Sequence, residues 1–223
     1  MGADKLFHLR RARKLARRKP RRAPYDKVLI VCEGKKTEPN YFEELKDHYG
    51  LSSANVAVTG DCGSSPMSVV NHAQDLFRES EKAGDAFDRA FCVIDKDNHS
   101  DYPSALDTLA RAKPEGVFEA IPSVPCFEYW LLLHFIYTDK PYNATGKKST
   151  AGMVLQELKR HWPKYKKSAY GVFEQRQEQL EVAKVHAARV LNAAQDNDSD
   201  DNPSTRVHEL VDYLQNLKNK SVK

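Results

Sequence analysis

With 223 residues, 40% of them apolar, the chain has material for one ordinary domain with or without an appendage, and global disorder is excluded. Its longest apolar run, near residues 129–137, is far shorter than the ~20 residues of a membrane helix, and its basic N-terminus lacks a signal peptide's apolar stretch, so no membrane partner is expected. The net charge of +4 joins two unlike parts: residues 1–24 carry ten basic side chains against Asp4 alone, net +9, leaving 25 basic and 30 acidic residues, net −5, for the rest.

The first element in chain order is this basic arm. Arg10, Arg11, Arg13, Arg17, Arg18, Arg21 and Arg22 lie within it, a density typical of an electrostatic footprint for nucleic acid. Leu6, Leu9, Ala12 and Ala16 form a thin helical stripe, which predicts a helix in the bound state; a solvated tail is the competing reading. Val28 to Cys32 then predicts a strand. Glu38 to Tyr49 shows a helical face through Tyr41, Phe42, Leu45 and Tyr49. Asn55 to Thr59 predicts a second strand, and Ser65-Pro66 has the form of a helix start, with a capping serine and proline in the first position. Ala90 to Ile94 predicts a third strand, Ser104 to Ala112 a helix, and Gly116 to Ile121 a fourth strand. Phe127 to Tyr137, apolar nearly all round, predicts a buried helix.

Beyond residue 140 the strand signals fade. Val154 to Leu158 and the stripe Leu180, Ala183, Ala187, Leu191 and Ala194 predict helices. Gln195 to Asp201 predicts an acidic surface loop, and Asn202-Pro203 the start of a last helix through Val207, Leu210, Val211, Leu214 and Leu217. The alternation predicts an α/β fold: an open parallel sheet flanked by helices over residues 25–140, with a helical part over 141–223 packed on the same domain and the arm (1–24) in front. Cys32, Cys62, Cys92 and Cys126 form no C-x-x-C pair and read as reduced structural thiols of a cytoplasmic protein.

In open parallel sheets, ligands bind outside the carboxyl ends of the strands. Glu33 ends the first strand here, Asp95 and Asp97 end the third, and both sets fall on one edge. In an extended segment residues i and i+2 point the same way, so Asp95-x-Asp97 pairs two hard carboxylates whose repulsion a divalent cation resolves. Oxygen ligands favour Mg²⁺ or Mn²⁺, and Glu33 can add a third ligand or a general base. Gly34 permits a sharp turn, and Lys35 and Lys36 can hold phosphate oxygens. Glu38 reads equally as a partner of a helix dipole. Glu128 is a carboxylate in an apolar helix start, either functional or held in a structural ion pair. Ser204 and Thr205 can cap a helix or donate to a phosphate. His99, beside the D-x-D, is a minor candidate for proton transfer or substrate contact.

A strand-E-G followed some sixty residues later by a strand-D-x-D resembles the Toprim domain of topoisomerases, primases and overcoming-lysogenization-type nucleases. The string V-C-E-G-K-K-T-E-P-N-Y-F (31–42) is similar to the opening motif of the RloB-like family. F-C-V-I-D-K-D (91–97), P-C-F-E-Y-W-L-L-L-H-F (125–135) and N-P-S-T (202–205) resemble its later motifs. The resemblance implies a Toprim-type, metal-dependent nuclease of bacterial anti-phage defence, with Glu33, Asp95 and Asp97 as its acidic triad. It implies phosphodiester hydrolysis with one or two Mg²⁺ ions, on RNA, tRNA included, in preference to DNA. A DNA-cleaving restriction-type nuclease and a non-catalytic nucleic-acid-binding subunit are the alternatives. A regulatory partner protein of the defence system and an oligomer are both compatible with it.

Overall fold

A computed structural model of the chain describes residues 24–196 and 201–219. The arginines of the arm therefore lie outside the described residues. Strand β1 is Val28–Cys32, followed by α1 (Thr37–His48), β2 (Val56–Thr59), α2 (Pro66–Lys82), β3 (Arg89–Asp95), α3 (Tyr102–Ala110), β4 (Phe118–Val124) and α4 (Phe127–Leu132). Helices α5 (Thr150–His161) and α6 (Leu180–Asp196), the short strand β5 (Ser204–Thr205) and α7 (Val207–Gln215) complete it, with one 3₁₀ turn, Glu174–Gln179, before α6. The strands form one sheet in the order β2-β1-β3-β4-β5, parallel except for β5, which runs antiparallel to β4.

The alternation of side chains along β1 explains both layers. Val28, Ile30 and Cys32 face one side and pack with Tyr41 and Phe42 of α1, Trp130 of α4, and the apolar faces of α5, α6 and α7. Leu29 and Val31 face the other side and pack with Val69, Val70 and Ala73 of α2 and with Ala105 and Leu109 of α3. β1 is thus apolar at every position because both faces are covered, as parallel strands require. The C-terminal helices share their core with β1 and α1.

Several boundaries differ from expectation for identifiable reasons. The fourth strand, expected over Gly116 to Ile121, instead runs Phe118–Val124 through Pro122, whose carbonyl accepts from Arg206 N–H at 3.0 Å. The run from Phe127 is helical only to Leu132: burial on all sides, not helical period, makes it apolar. Asn202-Pro203 does not start the last helix. Ser204 and Thr205 first add a strand to β4, and α7 begins at Val207. The Ser65 start of α2 is as expected, with its side chain accepting from Ser68 N–H and the Ser68 hydroxyl accepting from Ser65 N–H.

Candidate metal and phosphodiester site

The strand order places the site. From β1 the chain crosses to β2 on one side and then passes back to β3 on the other, so the order reverses between β1 and β3. At such a reversal the carboxyl ends of two neighbouring strands leave a crevice. Glu33 follows β1 and Asp95 closes β3, one on each side of it.

The two are directly joined. Glu33 Oε2 accepts from Asp95 N–H at 3.1 Å, and Glu33 Oε1 lies 3.0 Å from His99 Nε2. Glu33 N–H itself continues the sheet ladder by donating to Val93 O at 3.1 Å. Burial pushes the Glu33 carboxyl above its usual range, against the downward pull of the Asp95 N–H and His99. Asp95 is raised further. The residue is half-buried; burial is the largest cause, and Glu38, Glu128 and Glu33 add their negative fields. The Phe127 N–H, first in α4, is the opposing donor. This gives the P-C-F-E segment its role: it ends β4, turns into α4, and aims a backbone donor at Asp95.

Asp97 behaves differently from the extended i, i+2 expectation. Lys96 N–H still pairs with Ser123 O at 3.0 Å, but at Asp97 φ is +23°, so the chain leaves the strand there. Asp97 N–H donates to Pro125 O at 2.9 Å, and one carboxylate oxygen, Oδ1, is buried without a hydrogen-bond partner. Its charge acts on Glu33.

Glu38 belongs to the same cluster. It lies in the first turn of α1, yet its side chain is 9% exposed and folds back over Gly34. A Cβ at position 34 would stand 2.1 Å from Glu38 Oε2, so glycine there is a matter of space. Burial, with the fields of Glu128 and Glu33, pushes the Glu38 carboxyl up to about 7, and its Oε2 also lacks a partner. Glu128 has a partner: Lys167 Nζ lies 2.9 Å from its Oε1, and Tyr165 Oη donates to the same oxygen at 3.3 Å. Burial pulls the Lys167 ammonium down, but Glu128 outweighs it and holds it above its usual value.

The remaining expected residues are spread around this centre. Lys35 is exposed and turned toward Asp61, 2.9 Å away in the loop after β2; Lys36 is exposed at the start of α1. Ser204 and Thr205 are buried in β5, where the Thr205 hydroxyl sits 2.9 Å from Ser123 Oγ and accepts from Val207 N–H at 3.2 Å. Glu38 and Lys167 enlarge the expected set, and His99, a minor candidate in the sequence, stands against Glu33. The E-G-K-K-T-E spacing contains the signal for Glu38, but nothing in sequence distinguishes it from an ordinary first-turn acid.

The site's inner wall depends on a second glycine. A Cβ on Gly60 would lie 2.1 Å from the Gly34 carbonyl oxygen and 2.7 Å from Pro39 Cγ. Backbone cannot give way as a long side chain can. Gly60→Ala should therefore cost about 1–3 kcal/mol of stability through overpacking. An unchanged urea midpoint for Gly60→Ala would refute that close approach.

In this arrangement no three His, Cys, Asp or Glu side chains among the described residues are gathered tightly enough to hold a metal ion. The donor chemistry nevertheless fits a hard divalent cation: the donors are carboxylate oxygens, and two of them, on Glu38 and Asp97, are buried without partners. Binding would require Glu33 to exchange its present contacts with His99 and the Asp95 N–H.

Fold and site together define an α/β protein whose carboxylates converge where an open, mostly parallel sheet reverses its strand order. The model of the RloB-like protein family matches residues 28–214, and the chain belongs to that family. No curated protein and no solved structure matches it. No helix among the described residues is long and apolar enough to cross a membrane.

Proposed function

We propose that this protein is a Toprim-type nuclease that hydrolyses phosphodiester bonds of RNA, tRNA included, with Mg²⁺ or Mn²⁺ as its ion, in bacterial anti-phage defence. The observation that carries the reading is the gathering of buried and half-buried carboxyl groups at the β1–β3 crevice, two of them with an oxygen that has no hydrogen-bond partner. Four carboxylates, Glu33, Glu38, Asp95 and Glu128, act on one another there, and Asp97 adds its field to that of Glu33. A fold has no stability reason to collect them, since each costs free energy to bury as an anion.

Glu33, Asp95, Asp97 and Glu38 would hold the ion. When bound, it supplies an activated water and offsets charge on the leaving oxygen. The rest is done by the chain. Glu33 also positions His99, whose Nε2 lies 3.0 Å from its Oε1. Lys35 and Lys36, at the exposed lip, can take phosphate oxygens as point charges. Glu128, fixed by Lys167 and Tyr165, keeps the floor of the crevice negative.

The test is cleavage of a mixed panel of tRNA and plasmid DNA with Mg²⁺ or with EDTA. Metal-dependent cutting of tRNA supports the reading. Plasmid cutting alone would make it a DNA nuclease. Binding without cutting, by protein activated in its defence setting, would make it a non-catalytic subunit.

The arm gives a separate expectation. Its net +9 should supply much of the affinity for nucleic acid and a steep dependence on salt. Deleting residues 1–22 should weaken binding and flatten the plot of log affinity against log salt. An unchanged slope would show that the arm does not touch phosphate.

A further inference from the structure

The segment between α5 and the 3₁₀ turn reads Pro163-Lys164-Tyr165-Lys166-Lys167-Ser168-Ala169-Tyr170. Its backbone is held firmly to α1. Ser168 N–H donates to Thr37 Oγ1 at 3.0 Å, and Asn40 Nδ2 donates to Ser168 O at 3.4 Å. Just beyond, Gly171 N–H and Phe173 N–H donate to the Glu44 carboxylate at 2.6 and 2.9 Å. Inside these ties, Lys167 and Tyr165 reach into the acidic cluster through Glu128. Ser168 has φ +66°, a conformation that side-chain-bearing residues rarely adopt. Such a conformation persists only where the surroundings impose it, and it clusters at sites of function.

Lys167, although 56% exposed, brings its ammonium to Glu128, and Tyr170 stands outward at 80% exposure, the highest among the exposed large apolar side chains described. A single exposed tyrosine is ordinary on any surface. Here, however, it stands two residues past the contact with Thr37, so its Cα lies within roughly 7 Å of that contact along the chain. Lys36 precedes Thr37, Lys164 and Lys166 are exposed on the same segment, and Glu38 is the residue after Thr37. Aromatic ring and exposed ammonium groups are therefore carried on one short segment that is tied to the start of α1 and, through Lys167, to Glu128 of the crevice.

We propose that residues 164–170, with the start of α1, form a platform for an unpaired nucleic-acid strand, on which Tyr170 stacks a base while Lys164 and Lys166 hold its phosphates. The proposal deepens the nuclease reading and rests on it for the direction of the strand toward the crevice. The chemistry selects single strands. A tyrosine ring can stack only on a base whose face is free, and duplex bases have none to offer. RNA and DNA share this chemistry, and the test separates them.

The experiment measures binding of fluorescent oligo-uridylate, oligo-thymidylate and a DNA duplex to the full chain in EDTA, where cleavage has no part. Tyr170→Ala should weaken single-strand binding about tenfold, the size of one lost base–aromatic stack, and leave duplex binding unchanged. Tyr170→Phe should restore it. Lys164→Ala and Lys166→Ala should each lower the salt slope by about 0.7, the single-strand value for one phosphate, whereas Tyr170→Ala should leave it alone. A larger Tyr170 effect on oligo-uridylate than on oligo-thymidylate assigns the platform to RNA, and the reverse to DNA. The platform is refuted if wild type fails to bind single strands, if Tyr170→Ala binds them normally, or if Tyr170→Phe fails to rescue. A protein that passes these tests yet cuts nothing would keep the platform and lose the nuclease.

Discussion

Asp95→Asn and Asp97→Asn should each lower phosphodiester cleavage by about 10³-fold or more, the loss that follows when several kcal/mol of charge stabilisation in the transition state is removed. Both variants should stay folded, because asparagine keeps the shape. Asp95 closes β3, and the backbone bond from its own N–H to Glu33 does not depend on its side chain. The two variants should differ in stability. Burial and the fields of Glu38, Glu128 and Glu33 all oppose ionisation of Asp95, so an amide there removes a destabilising charge. Without metal, at mildly alkaline pH, Asp95→Asn should melt higher than wild type, by ~2–4 °C per kcal/mol of relieved repulsion. Added Mg²⁺ should raise the melting temperature of wild type more than that of Asp95→Asn, since ligand binding to the native state adds stability by mass action. Normal cleavage by both variants would remove the metal assignment. Equal Mg²⁺ stabilisation would place the ion elsewhere.

The second large effect is a pH dependence centred on Glu38. Its carboxyl is pushed from an ordinary 4.5 to about 7 in the folded protein. Between those values the native state holds a proton that the unfolded state has released. Stability is therefore greatest at low pH and falls as pH rises through that window, on the order of 3 kcal/mol for this one group. Raised Asp95 and Glu33 carboxyls act in the same direction. This is opposite to the usual behaviour of paired surface acids, which lose stability on acidification. Glu38→Gln cannot ionise, so its unfolding free energy should be flatter from about 4.5 to about 7 and higher than wild type above that range. Urea titrations of the two proteins across that window decide it. Parallel curves would show that Glu38 is not held in the cluster.

Much of this arrangement is legible in the sequence because two signals coincide. Val28–Cys32 and Arg89–Asp95 are β-branched and apolar runs that stop at carboxylates, and in a parallel sheet such stops share one edge. What is hidden falls into two kinds. Ser204–Thr205 is a two-residue polar strand, too short to show a period, and it exists only because β4 offers it an edge. Glu38 and Lys167 are hidden by the ambiguity of local context. An acid in a first helical turn and a lysine in a polar loop look the same whether they face solvent or an acidic crevice. Only the packing of α1 over Gly34, and of the 162–173 loop over α1, decides between those outcomes. The partner of Glu128 lies on the far side of α5, a separation that neither period nor spacing can encode.

That partner has a consequence for how the molecule responds to what it binds. Glu33 and Asp95 are mounted at the ends of central strands, whereas Lys167, which answers Glu128, is mounted on a loop. Any ligand that draws the Lys167 ammonium away from Glu128 removes a positive charge from the crevice and sharpens its demand for a cation. Any cation entering the crevice weakens the hold of Glu128 on the Lys167 ammonium by the same free energy. The two events are thermodynamically reciprocal, as all linked equilibria are. A strand on the outside and an ion on the inside would thus report each other's presence through a single ammonium group.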